Sequence, residues 1–462
     1  MSWTTRSRGP RRVGGTALVV GAGMAGLCAA RVAAERFDRV LVLDRDTLPP
    51  APAPRARVPQ GRQPHLLLPA GARCLEGWFP GLVDDLVARG AVPLDLCADF
   101  YWHQCGGVLR RPASALRGPA MSRPFLEDAV RRRVGLVPGV TVRDGVTAVG
   151  LTADPTGRRV TGVRLGDGST VAADLVVDAT GRSAHSLDWV RALGYEPPPV
   201  SVVRVDTRYV SRTYRRSGPA EGGWKAAAVV GEPATRRLAV ALAIEGDRWI
   251  TFVAGLGGES PPVDEEQRRA YVRTLPSPVI ADLMATCEPL GAASTHRFAD
   301  DRRRHVERLR RFPLGWVLLG DAVSSFDPIY GQGMTSAALQ AEALGRCLDR
   351  TGAVDRALAR RYFAAASRVV AVPWSLAVGG DFAYPGTEGP RPAGTDLLNR
   401  YVARTVVAAQ HDDAVALRLN EVQAMVRRPG SLFLPGIALR VLRRGRATGP
   451  ASERVLPRPA RA

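Results

Sequence analysis

The feature that most constrains this chain is Gly21-Ala22-Gly23-Met24-Ala25-Gly26, placed directly after the apolar run Ala17 to Val20. A strand, a Gly-x-Gly-x-x-Gly turn and a helix from Met24 to Arg36 make a pyrophosphate site. Gly21 permits the tight turn, Gly23 lets the backbone approach the ligand, and Gly26 lets the helix pack on the strand, while free N–H groups at the helix start meet the phosphate charge. Val40 to Leu43 reads as a second buried strand ending at Asp44, where an acid is expected on a ribose hydroxyl pair, and Arg45 follows at the adenosine end. This turn serves NAD and FAD alike, so another segment has to decide between them.

That segment lies almost three hundred residues on. Leu314 to Leu319 reads as a strand ending in Gly320-Asp321-Ala322. After Phe326-Asp327-Pro328, the run Gly331-Gln332-Gly333-Met334 opens a long apolar helix to about Leu348. Glycines two apart leave the helix start bare. A reduced flavin carries negative charge near N1 and O2, which backbone N–H groups and the positive end of a helix dipole stabilise. Asp321 suits the ribityl hydroxyls. Leu175 to Val177 reads as a further buried strand bringing Asp178 and Gly181 to the carboxyl edge of the sheet, where ligands sit. Together the two glycine segments predict FAD.

Composition frames this reading. With 462 residues, 45% hydrophobic and 23% charged, the chain has the makeup of a globular protein with a large core. The net charge of +20 invites a nucleic-acid reading, but the basic residues are spread from end to end, Lys225 is the only lysine, and no zinc-finger spacing, RNP-like strand or heptad run accompanies them. Nucleic acid is therefore not expected, while acidic partners or a membrane surface stay open. The six cysteines show no C-x-x-C pair and read as reduced core residues, and no metal site is expected. Arg11-Arg12 precedes the fingerprint strand itself, with no cleavage-like site, and the runs Trp316 to Val323 and Val369 to Val378 are far short of a bilayer span. A cytoplasmic location is the expectation.

Along the chain, residues 1–14 read as a basic segment, and 15–90, 120–196 and 300–350 as the nucleotide-binding domain. Residues 91–119 and 197–299, with alternating and β-branched runs between Gly, Pro and charged turns, read as an antiparallel-sheet substrate domain. Residues 351–447 read as helical and 448–462 as a disordered tail. Pro49 to Pro54 forms a stiff, exposed connector. Tyr101, Trp102 and His103 either line the substrate pocket or pack in the second sheet. Arg440, Arg443, Arg444 and Arg446 form either a solvated basic end or a membrane-surface contact.

The fingerprint with Asp44, the turn Asp178-Ala179-Thr180-Gly181-Arg182, and Gly320-Asp321-Ala322 through Met334 resemble the FAD-dependent monooxygenases of the p-hydroxybenzoate-hydroxylase-like fold, over roughly residues 15 to 350. The stretch Pro59 to Leu68, the turn Asp178-Ala179-Thr180-Gly181-Arg182 and the run Phe326 to Met334 look more narrowly like the squalene-epoxidase-like branch that contains the polyene epoxidases of polyether antibiotic pathways. The resemblance implies an α/β fold: a three-layer, GR2-like Rossmann-type FAD-binding domain, an interleaved antiparallel sheet and a helical C-terminal region. It implies Gly21, Gly23, Met24, Ala25 and Gly26 on the pyrophosphate, Asp44 on the adenosine ribose, and Arg45 and Ala148 at the adenine end. Arg123, Asp178 and Gly181 would lie along the cofactor. Gly320 and Asp321 would hold the ribityl chain, Arg62 and His65 would lie near the isoalloxazine, and Pro328, Gly331, Gly333 and Met334 would cradle its pyrimidine side.

The implied chemistry is insertion of one O2-derived oxygen through a C4a-hydroperoxyflavin into a small, apolar substrate, by epoxidation or hydroxylation in specialised metabolism. No catalytic base is assigned. Asp178-Ala179-Thr180-Gly181 stands where aromatic hydroxylases carry a Gly-Ala-Asp-Gly turn, so NAD(P)H acts either directly or through a separate flavin reductase. Two other readings stay open: a reductase of isoprenoid C=C bonds, and a flavin-binding protein without catalysis. A halogenase is disfavoured, because its Gly-Trp-x-Trp-x-Ile-Pro signature is absent and Lys225 lies outside a comparable context.

Overall fold

A computed structural model describes residues 12–445 except Ala56. The strand Gly14–Val20, buried from Ala17 onward, sits at the centre of a five-stranded parallel sheet. Phe37–Leu43 flanks it on one side and Leu175–Asp178 on the other, with Val140–Arg143 and Trp316–Leu318 at the edges. This is the strand order of a Rossmann-type unit, and it aligns the carboxyl ends of the strands at one rim. Helices Met24–Ala34 and Gly333–Thr351 pack on each other, tied by Arg36 to Asp349 at 2.7 Å. A three-stranded meander, Ala148–Ala153, Val160–Leu165 and Thr170–Ala172, packs through its middle strand on Leu175–Asp178 and supplies a further layer.

The expected antiparallel sheet is present and has eight strands. From one edge to the other it runs Ser324–Ser325, Pro289–Arg304, Val200–Arg215, Arg248–Gly255, Arg237–Ile244, Ala226–Val230, Phe100–Gln104 and Gly107–Val108. Two of its strands are 16 residues long, Val200–Arg215 and Pro289–Arg304, paired antiparallel with a bulge between Arg204 and Thr207. The second of these corrects the expected boundary at 299/300, which falls inside it. Its run of charged residues from Arg297 to Arg304 hides the strand pattern, because only Phe298, Asp301 and Arg304 are buried along that stretch. The segment 91–119 also divides: Val92–Asp95 pairs with Arg117–Ala120 as a separate ribbon, while Phe100–Gln104 joins the large sheet by parallel pairing with Ala226–Val230.

The C-terminal region is helical, with helices Arg356–Asp381, Thr395–Ala409, Asp413–Gln423 and Pro435–Arg444, the last preceded by a short turn Pro429–Phe433. The first runs through Pro373 and is 26 residues long. By length and composition it would suffice to cross a bilayer, which corrects the expectation from the short apolar runs. Here it buries Tyr362, Phe363, Ala366 and Val370 in the core beside Trp316 and Phe312. The expectations for residues 1–11 and 446–462, Arg446 among them, lie outside the described residues.

The Tyr362 hydroxyl donates to the Leu318 carbonyl at 2.9 Å, locking this helix to the last strand of the parallel sheet. Tyr362→Phe leaves that buried carbonyl without its donor and is expected to cost about 1–3 kcal/mol in a urea unfolding curve.

Candidate functional site

A cavity of about 750 Å³ runs along the carboxyl rim of the parallel sheet, from the fingerprint turn to the start of helix Gly333–Thr351. Its walls include Gly21, Gly23, Met24, Ala25, Asp44, Arg45 and Ala148 at one end, His65, Arg123, Gly181 and Asp321 in the middle, and Pro328, Gly331, Gly333 and Met334 at the other. Two helix N-termini thus open into one cavity. Neither is capped by a side chain, so their first N–H groups are free for a ligand.

The glycines divide by physical cause. A Cβ on Gly26 would overlap the Gly21 carbonyl, and one on Gly21, held at φ +108°, would lie 2.5 Å from the Ala179 carbonyl oxygen. These two are required by the protein's own packing. A Cβ on Gly23 would meet nothing nearer than Arg55 at 3.6 Å, and one on Gly333 nothing nearer than Asp321 at 4.0 Å. Both positions are bare only toward the cavity, as a ligand approaching the backbone requires. The residues therefore fit an FAD with its pyrophosphate at Gly23 and its ring system at Gly333.

At the adenosine end Asp44 accepts from the Ala22 N–H at 2.7 Å, from the Asp46 N–H at 2.9 Å and from Arg55 at 2.9 Å. Arg55 also pairs with Glu127 at 2.9 Å. The proline connector is exposed from Pro50 to Pro54, as expected, and then returns Arg55 to the site. Sequence reasoning missed this residue, since nothing local marks an arginine that becomes buried only by tertiary folding.

In the middle, His65 places Nδ1 2.9 Å from the Gln63 carbonyl and Nε2 3.5 Å from Arg123. Nδ1–H therefore donates to the carbonyl and Nε2 accepts from the guanidinium. Burial, reinforced by Arg123, pushes the imidazole down to about 3, so it stays neutral at physiological pH. Burial also raises the Asp321 carboxyl, while Arg123, Arg182 and Arg304 pull it back. Arg182, the residue after Gly181, bonds the Asp300 carbonyl at 2.6 Å and Ser325 at 2.9 Å, and lies over Phe298.

Several expected contacts belong elsewhere. Asp178 is fully buried and accepts from the Thr180 N–H and hydroxyl at 2.8 and 2.7 Å, so it shapes the turn that brings Thr180, Gly181 and Arg182 to the wall. Gly320, at φ +71°, sits where a Cβ would be 2.6 Å from Ala25 and bonds Gln340, so it serves packing. Arg62 lines a second cavity of about 440 Å³, with Arg212, Glu245 and Arg248, because the short helix Pro59–Arg62 turns Gln60 and Arg62 to opposite sides. Tyr101, Trp102 and His103 line neither cavity. Tyr101 bonds Ser277 and Trp102 packs toward the C-terminal helices, because their strand lies near the far edge of the large sheet.

Behind the flavin-ring end lies a cluster of three buried carboxyls. Asp327 lines the cavity, accepts from Thr207 and Tyr209, and donates its own N–H to Asp301 at 2.6 Å. Asp381, at the end of the 26-residue helix, accepts from Tyr330 at 2.8 Å. Asp301 and Asp381 face each other within hydrogen-bonding reach, and each keeps one buried oxygen for which no protein donor is present among the described residues. Two ionised carboxylates cannot hydrogen-bond each other, and burial with like charge favours the protonated form of this pair. Burial and like charge push Asp301 up to about 7 and Asp381 well above the usual carboxylate range.

No family model matches the chain. Over 424 residues it is 35% identical to Protein Rv3254 of Mycobacterium tuberculosis, covering 87% of each chain. The chain belongs to the family of that protein. It is also 29% identical over 368 residues to kynurenine 3-monooxygenase of Salinispora arenicola, covering 76% of each chain. Among solved structures, the flavin-dependent brominase Bmp2 superposes with a TM-score of 0.65 at 13% identity, covering 93% of this chain and 98% of that one. PqsL of Pseudomonas aeruginosa, described as a probable FAD-dependent monooxygenase, gives a TM-score of 0.58 at 22% identity, covering 81% of this chain and 99% of that one. The fold is that of the FAD-dependent monooxygenases.

Two outcomes are expected. Gly23→Ala should fold with near-wild-type stability but bind FAD at least about tenfold more weakly by fluorescence titration, whereas Gly26→Ala should not yield soluble folded protein. The acid pair has folded pKa values above its unfolded ones, so its stabilisation is complete below about pH 4 and is lost as pH rises through about 7. Asp301→Asn can still donate to Asp381 and accept from Asp327, and should flatten the fall in melting temperature between pH 5 and pH 8 relative to wild type.

Proposed function

We propose that the protein is an FAD-dependent monooxygenase that transfers one O2-derived oxygen atom to a small, apolar organic substrate, with alkene epoxidation as its reaction. The observation that carries this reading is one cavity of about 750 Å³ that runs from one uncapped helix N-terminus to another. When bound and reduced, FAD supplies the activation of O2. This chain's residues bind, orient and shield. N–H groups at the start of Met24–Ala34 receive the pyrophosphate, Asp321 the ribityl hydroxyls, and N–H groups at Gly333 and Met334 the pyrimidine edge. Phe298, Phe326 and Met334 supply apolar wall at the ring end and exclude water. His65, held neutral by burial and by Arg123, serves as a fixed hydrogen-bonding group between Gln63 and Arg123.

The kinship with a kynurenine monooxygenase and the shared fold with PqsL support oxygen transfer over alkene reduction. The epoxidase branch rests on the resemblance of Pro59 to Leu68, Asp178 to Arg182 and Phe326 to Met334. Bmp2 raises halogenation as a second reading, against which Lys225 is held on the surface by the Pro93 carbonyl at 2.9 Å and Asp99 at 3.0 Å, outside both cavities. Electrons come from NAD(P)H, directly or through a separate reductase.

Purified holoenzyme should be yellow. Supplied with a reducing system, 18O2 and a panel of polyene and phenolic substrates, it should give a product carrying one labelled oxygen, an epoxide from an alkene. Saturation of the alkene without O2 would establish the reductase reading instead, and bromide-dependent product the halogenase reading.

A further inference from the structure

The structure leaves one concentrated apolar surface unexplained. Ten large hydrophobic side chains are prominently exposed among the described residues, and six of them, Leu397, Leu398, Phe433, Leu434, Leu439 and Leu442, fall on helices Thr395–Ala409 and Pro435–Arg444, which pack on each other, and on the turn that leads into the second. Each is between 40% and 68% exposed. They adjoin in space: Tyr401, one helical turn after Leu397, stacks on Phe433 at 4.5 Å, and the Arg404 backbone meets Gly445 at the end of the last helix. Helix Pro435–Arg444 buries only Ile437 and Val441, through which it is anchored to the protein, and turns Leu439, Leu442 and Arg443 outward. Soluble monomers seldom expose such a cluster without a partner for it.

The charge around the patch identifies that partner. Residues 395–445 carry eight arginines against four acids. All four acids are engaged: Asp396 with Arg391, Asp412 with Arg440 and Arg444, Asp413 with Arg110, and Glu421 with Arg418 and Arg427. Arg400, Arg404 and Arg443 are exposed and have no ion pair among the described residues. On Thr395–Ala409 the sequence Leu397, Arg400, Tyr401, Arg404 falls at helical spacing on one face, with arginine beside apolar residues. Residues 446–462 add four more arginines and one glutamate, so this segment is a poor electrostatic match for the patch and would extend its positive charge. A second copy of the same patch would be repelled in the same way.

We propose that this face docks on an anionic lipid surface, with Phe433, Leu434, Leu439 and Leu442 entering the headgroup boundary and Arg400, Arg404 and Arg443 pairing with lipid phosphates. A short amphipathic helix lying in the interface, flanked by basic side chains, binds in this way without spanning the bilayer. The Tyr401 hydroxyl, which donates to the Leu432 carbonyl at 2.7 Å, and the Phe433 ring hold the turn in the shape that presents the leucines.

Full-length holoenzyme should co-sediment with vesicles of phosphatidylcholine containing one-third phosphatidylglycerol, and do so far less with pure phosphatidylcholine or at high salt. Leu439→Asp with Leu442→Asp should abolish sedimentation, and Arg404→Gln and Arg443→Gln should each weaken it about fivefold. Unchanged melting temperature and flavin absorbance would show these variants folded, which keeps the result independent of the oxygenase reading. Absence of binding to anionic vesicles, or equal binding by the leucine variant, would overturn the proposal. So would a lipid-independent dimer that the leucine substitutions make monomeric, which would assign the face to a second copy.

Discussion

Everything in this molecule that bears on function depends on two sets of unpaired backbone N–H groups aimed into the same space. Each helix start has donors that no carbonyl of its own helix can reach. In most proteins a Ser, Thr, Asp or Asn side chain caps them; here Gly23 and Gln332 stand at those positions and neither supplies a side-chain cap. The cost of leaving two helix ends open is offset only when an anionic ligand fills them. Because the two helices pack against each other and the first emerges directly from the central strand of the parallel sheet, their spacing is fixed, and it suits a ligand with a pyrophosphate at one helix start and a ring that gains negative charge at the other.

The rest of the architecture serves that arrangement. Asp178 holds the turn that closes the middle of the cavity, Gly26 and Gly320 bring helices and strands within contact, and Arg55 fastens the proline connector to Asp44 and Glu127. The ring end is held differently, by Asp301 from the large sheet, Asp327 from the flavin loop and Asp381 from the C-terminal helix. Burial favours the protonated form at this meeting of three segments, where fully ionised carboxyls would repel. The meeting couples the packing of the C-terminal helix to the loop that lines the cavity.

Much of this was legible in the sequence wherever local pattern and chemistry coincide. The buried strands Ala17–Val20 and Val40–Leu43 read as continuous apolar runs, as a parallel sheet covered on both faces requires. Gly23, Asp44, Asp321, Gly331 and Gly333 all reach the cavity wall. What was hidden depends on contacts distant in sequence. The strand Pro289–Arg304 disguises itself with exposed charges. Asp178 and Gly320 look like ligand contacts in their motifs yet are spent on turn and packing. Arg62 and Gln60 differ by which side of a single helical turn they occupy. The acid cluster could not be seen at all, since residues 301, 327 and 381 gain meaning only when three elements meet.

Whether one FAD spans both helix starts is read from calorimetric titration of the apoprotein with FAD, FMN and ADP. One FAD per chain is expected, bound at least about 100-fold more tightly than either fragment, because ADP lacks the flavin ring and FMN lacks the adenosine and one of the two phosphates. Equal affinity for FMN and FAD, or two FMN-like sites per chain, would contradict it.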